Sequence, residues 1–120
     1  MLRNFDEELP IPLEWRCQIK EIVAALAAGN YSLRGLRNAS LDEYVTSEDI
    51  AENVGDYGCV LVDLPDETWQ SSRYLAVGDW WEAIIDLYTK EEGRSDLALH
   101  LTIRENEKRY CFYVRSVHVP

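Results

Sequence analysis

Between Trp80 and Val119, apolar side chains return at every second position in successive runs. The first is Trp81, Ala83, Ile85 and Leu87, alternating with Trp80, Glu82, Ile84, Asp86 and Tyr88. The second is Leu97, Leu99, Leu101 and Ile103, alternating with Ala98, His100, Thr102 and Arg104. Neighbouring side chains of a strand point to opposite faces, so each run offers one face to a core and one to something else. Glu91-Glu92-Gly93-Arg94-Ser95-Asp96 separates the two runs, and Glu105-Asn106-Glu107-Lys108 follows the second as a polar turn. Gly93 supplies the positive φ that a tight connection needs. The pattern predicts an antiparallel meander whose last strand is Tyr110–Val119. That strand changes parity: Phe112 and Val114 favour one face, Val117 and Val119 the other. A β-bulge near Arg115-Ser116 reconciles the two halves.

Before the meander the period changes. Trp15, Ile19, Ile22, Val23 and Leu26 recur at three- and four-residue spacing, the stripe of an amphipathic helix. Pro10 and Pro12 lie at its start, where a missing N–H does no harm, and Gly29-Asn30 closes it. The spacing predicts a helix from Leu13 to Ala28. A second, shorter helix is expected after Ser40, where Ser40-Leu41-Asp42-Glu43 is a variant capping box. A further start at Ser47-Glu48-Asp49 leads through Ala51 and Val54 to a stop at Gly55. Acids at such starts also suit the helix dipole. The continuous run Cys59-Val60-Leu61-Val62 predicts a buried strand, and Tyr74–Val77 a short one ended by Gly78.

Helices first and long meandering strands after them make an α+β domain. At 120 residues the chain is expected to form a single domain, 1–120. The expected architecture is an N-terminal helix, plus the short second one, packed on a curved antiparallel sheet, with an NTF2-like cone the leading form. A plain helix-on-sheet sandwich is the second.

Charge sets the class of partner. Lys and Arg total 12 against 22 Asp and Glu, for a net charge of −10. Residues 38–92 hold fourteen of the acids and only Arg73 and Lys90, a net of −12, while 1–37 balance and 93–120 carry +2. Such a surface repels phosphate backbones and anionic headgroups, which argues against nucleic acid and membrane as partners and favours a basic protein. The first eight residues lack the basic-then-apolar order of a signal peptide. Cys17, Cys59 and Cys111 are odd in number and far apart, unlike a disulfide framework or a zinc knuckle. A cytoplasmic protein with three buried free thiols is expected.

No reaction chemistry stands out in the residue pattern. His100 and His118 are the ordinary neutral-pH bases, and neither sits in a nucleophile motif. Asp63-Leu64-Pro65-Asp66-Glu67 lacks the oxygen spacing of a calcium loop. No catalytic residue, metal or cofactor is assigned. The acidic middle segment is more informative, because it interleaves carboxylates with large rings. Trp80, Glu82, Asp86 and Tyr88 share one strand face by parity, and carboxylates beside rings suit a protein interface. The expected contacts are Asp56, Asp63, Asp66, Glu67, Asp79, Trp80, Glu82 and Asp86. The plain alternative is a solvated sheet face.

The run from Ile85 to Leu99, with the closing Val117-His118-Val119, resembles a small uncharacterised bacterial domain family. Its hallmark is a D-L-x-T-x-E-E-G-x-S-D-L-x-L hairpin followed by a hydrophobic-His-Val strand, and the likeness covers about the last 40 residues. Some members resemble immunity proteins placed beside polymorphic or contact-dependent toxins. The resemblance implies a cytoplasmic protein that binds a cognate toxin, with a basic nuclease domain the first choice, and neutralises it by occlusion. Within the hairpin, Ser95 and Asp96 are placed to bond local backbone N–H groups, so the motif itself reads as structural. Two other readings compete with the toxin partner. One is a small-ligand or enzymatic NTF2-like domain with Tyr88, His100 and Tyr113 near a pocket. The other is a homodimer built on an exposed sheet face.

Overall fold

The alternating runs pair in the register their parity demands. The structure, a computed structural model, describes residues 7–120. In chain order the described residues form β1 (Leu9–Pro10), α1 (Leu13–Ala27), β2 (Ala39–Leu41), α2 (Ser47–Tyr57), a 3-10 helix (Asp66–Gln70), β3 (Arg73–Val77), β4 (Trp80–Thr89), β5 (Gly93–Asn106) and β6 (Arg109–His118). The strands make one open, mixed sheet in the order β1-β3-β4-β5-β6-β2. All pairs are antiparallel except β2 with β6, which is parallel. The fold class is therefore α+β, as expected. The sheet ends at β1 and β2, and an NTF2-like cone is not shown.

Three rows of apolar residues cross β4, β5 and β6 on one face. They are Trp81–Ile103–Phe112, Ala83–Leu101–Val114 and Ile85–Leu99–Val117. Ala83, Ile85, Leu99, Leu101, Ile103, Val114 and Val117 have no exposed surface. Full burial of one such aliphatic side chain stabilises by roughly 1.5–3 kcal/mol, so these rows dominate the folding energy. The helix α1 lies on this face and buries Trp15, Ile19, Ile22, Val23 and Leu26. Trp15 anchors it edge-on to Tyr74, Trp81, Tyr110 and Phe112, with ring centroids 5.0–6.4 Å apart.

The predicted bulge is present. His100 pairs with Ser116 and Leu101 with Val114, so Arg115 is the extra residue and Val117 returns to the core face. A second irregularity was not foreseen. Ser95, Asp96 and Leu97 together oppose Leu87, because Asp86 pairs with Ala98 but Tyr88 with Arg94. The buried Ser95 hydroxyl closes the gap, donating to the Leu87 carbonyl at 2.8 Å and accepting from the Leu97 N–H at 3.1 Å. This gives the serine of the hairpin motif its structural role.

Several expectations need correction. The Ser40 region is not a helix start: Ala39–Leu41 is β2, lying beside Phe112–Val114. The second helix begins at Ser47, capped by Thr46, whose side chain and that of Asp49 form a reciprocal capping box. It does not stop at Gly55 but runs three turns to Tyr57, ending where Gly58 turns left-handed with φ +83°. Cys59–Val62 is not a buried strand. It runs along the edge of β4 through one bridge, Leu61 with Thr89, and Val60 is 55% exposed. Within its apolar run Leu61 is buried and Val62 packs half-buried on the core, while Cys59 and Cys111 are only half-buried and Cys17 is exposed, not buried as expected.

Candidate partner-binding surface

The opposite parity of the same strands faces away from α1. Across β4, β5 and β6 this open face reads Glu82–Thr102–Tyr113, Ile84–His100–Ser116 and Asp86–Ala98–His118. Glu82 is its hub. It accepts from the Trp80 indole N–H at 2.8 Å and the Thr102 hydroxyl at 3.3 Å, and it meets His100 Nε2 at 2.5 Å. Arg115, pushed onto this face by the bulge, lies 3.7 Å from Glu82 and donates to Thr102 at 3.2 Å. Burial pushes the Glu82 carboxyl up, yet Trp80, His100 and Arg115 together hold it below the usual glutamate range. Glu82 is thus an internal tie of the sheet as much as a surface charge.

The hairpin end of β4 and β5 is different. The Tyr57 hydroxyl donates to Glu92 at 2.6 Å and accepts from the Asp96 N–H at 3.0 Å, locking the end of α2 onto the hairpin. Glu91 accepts from the Val60 N–H at 2.9 Å. Asp86, Arg94 and Asp96 border one shallow depression, and Asp56 borders another with His118. The Val62 N–H bonds the Tyr88 carbonyl, which brings Asp63, the next residue, to the same end. Asp56, Asp63, Asp86, Glu91, Glu92 and Asp96 therefore gather here against Lys90 and Arg94, with Glu67 near enough for its charge to act on Tyr88, and all but the half-buried Asp86 are exposed.

Three neighbouring groups respond to this concentration of charge. The hydrogen bond to Glu92 holds the Tyr57 hydroxyl above the usual phenol range. Burial, then Glu92 and Glu91, push the Cys59 thiol up. Burial, then Glu67, do the same for Tyr88, with Asp86 adding and Arg94 opposing. Each shift disfavours a further negative charge at the hairpin end.

The eight expected contacts thus divide. Asp56, Asp63, Glu67 and Asp86 come to the hairpin end. Asp79 and Trp80 stand at the opposite end of β4, with Glu82 between. Asp66 pairs with Lys20 of α1 at 3.4 Å. Asp86 is also tied inward: its carboxylate bonds the Ser71 hydroxyl, and its backbone meets Thr68 and Ser72. Tyr88, expected on the face of Trp80 and Glu82, is buried, 6% exposed, and its backbone carbonyl accepts from the Val62 N–H. Of Tyr88, His100 and Tyr113, Tyr113 borders a recess on the open face, His100 is tied to Glu82 and Tyr88 is buried. From the sequence, Glu91, Glu92 and Asp96 stand only as residues of the connection between two strands. Their nearness to Asp56 follows from the tyrosine lock, which sequence spacing does not reveal.

Among the described residues no three of His, Cys, Asp and Glu come together as a metal-ligand group, and no helix is long and apolar enough to cross a membrane. Residues 23–120 match a family described as a domain of unknown function, DUF7668, and the chain belongs to that family. No curated protein and no solved structure matches it.

Proposed function

We propose that this member of the DUF7668 family is an immunity-type protein: it binds a basic protein domain, a cognate toxin of the nuclease kind, in the cytoplasm and neutralises it by occlusion. No bond is made or broken. The observation that supports this reading is the gathering of seven carboxylates against Lys90 and Arg94 at the hairpin end. A nuclease holds phosphates with Lys and Arg, so its cleft is complementary to such a surface. Opposed fields of this kind raise association towards roughly 10⁸–10⁹ M⁻¹s⁻¹ at low salt, and an inhibitor that must act before its target benefits from that speed. A specific interface buries about 1,600 Å² in total, enough to span the hairpin and the end of α2.

Co-expression with the product of the adjoining reading frame tests the proposal through growth. The wild-type chain restores growth, and the purified complex weakens as salt rises from about 0.05 to 0.5 M. The Asp56→Lys/Asp96→Lys chain loses both protection and the salt dependence. Growth that is not restored, or binding indifferent to salt and to these two reversals, contradicts the reading.

A further inference from the structure

A second recess lies on the open face, away from the hairpin, and shares no residue with the acidic end. It has a volume of about 380 Å³, and its walls include Trp80, Arg104, Tyr113, Arg115, Asp42 and Glu43. That size is within the range of small-molecule sites, roughly 300–1,000 Å³.

Two features define what it can hold. The first is cationic. In a chain with 22 acids and 12 bases, Arg104 makes no ion pair among the described residues; its guanidinium rests 4.6 Å from the Trp80 ring centroid. Arg115 bonds Thr102 at 3.2 Å, with Glu82 and Asp42 further off at 3.7 and 3.9 Å. A guanidinium carries five N–H donors in a planar fork, so both arginines keep donors for an incoming oxyanion. The second feature is flat. The Arg104–Trp80 stack and the Tyr113 ring present planar surfaces, and a guanidinium stacks on rings as well as binding oxyanions. Asp42, beside Arg115, and Glu43 line the same recess and can accept N–H or O–H groups of the ligand.

We propose that this recess binds a small flat-ring ligand bearing an oxyanion, carboxylate or phosphate, with Arg104 and Arg115 on the anion and the ring against the Arg104–Trp80 stack. NMR of the full chain, following the indole N–H of Trp80, tests it. The probes are 4-hydroxybenzoate and adenosine 5′-monophosphate, with adenosine and inorganic phosphate as half-ligands, each to about 5 mM, beyond the weak millimolar end of specific binding. The expected result is a saturable shift with at least one ring-bearing anion, and binding at least about tenfold weaker for either half-ligand. Which ring-bearing anion saturates tells carboxylate from phosphate. Arg104→Ala weakens that binding about tenfold, Arg104→Lys less, and Arg34→Ala, the same charge removed from the exposed loop after α1, leaves it unchanged. The spectra of the variants report folding in the same experiment. No saturation with either ring-bearing anion overturns the proposal, as does equal binding of phosphate alone or equal loss in Arg34→Ala.

Discussion

At the hairpin end of β4 and β5, seven carboxylates stand against Lys90 and Arg94; where β5 passes into β6, Asp79, Glu105 and Glu107 share the end with Arg104, Lys108 and Arg109, three acids to three bases. The same three strands build both ends. Their core rows are continuous, so the contrast arises from the side chains at the strand tips and from what docks there: α2 through Tyr57 at one end, the Trp80–Arg104 stack at the other. A net charge of −10 is thus sorted along the strands. Strand direction decides which acids become neighbours, and proximity in sequence does not.

The two ends share one core, so the largest effect comes from removing part of it. Leu101→Ala deletes the centre of the middle row, where the residue is wholly buried. It should cost about 2–5 kcal/mol in denaturant unfolding and weaken both ends together. A loss below about 1 kcal/mol means that the rows do not carry the fold. Ser95→Ala acts on one end only. It strips the buried link between Leu87 and Leu97, with an expected cost of about 1–3 kcal/mol. Hydrogen exchange should rise around Leu87–Leu97 and stay unchanged at Trp80 and Tyr113.

A smaller effect sharpens the middle of the face. The carboxyl of Glu82 is held below its unfolded range, so its stabilising contribution is present above the unfolded pKa and fades as pH falls through the folded one. With an unfolded glutamate near 4.3, Glu82→Gln should flatten the fall in stability as pH drops from about 5. Parallel acid limbs for the two proteins would count against the Trp80–Glu82–His100 tie. The smallest effect probes the field at the hairpin. Burial, then Glu92 and Glu91, raise the Cys59 thiol, so Glu92→Gln should speed its alkylation near pH 8, by roughly twofold, through a larger thiolate fraction. Asp79→Asn, at the far end, should leave that rate unchanged.

Much of the fold could be read before any coordinates. Period two marked β4, β5 and β6, and the parity break at Arg115-Ser116 marked the bulge, because burial of one face leaves no freedom in register. Shorter pieces were ambiguous. Ala39-Ser40-Leu41 is too short to show a period, and its serine with the following Asp42 and Glu43 imitates a cap until β6 is seen beside it. Gly55 looked like a stop, yet open space surrounds it and the helix continues to Gly58, where the backbone turns left-handed. The acidic surplus of residues 38–92 was legible from counting. Its division was not, since Asp79 just precedes one end of β4 and Glu91 lies just beyond the other. Arg104 could have been placed by parity beside His100 and Thr102, but only the fold sets it on Trp80.

Under the proposed function, location at the hairpin, and not total charge, attracts the partner. Two doubly reversed chains with equal net charge separate these possibilities: Asp56→Lys/Asp96→Lys at the hairpin and Asp79→Lys/Glu107→Lys at the other end. Their association rates with the adjoining-frame product, measured at low salt, give the answer. The account predicts a loss of tenfold or more for the first pair and less than about twofold for the second, in keeping with steering by a local field. Equal losses for both pairs, or none for the hairpin pair, would contradict it.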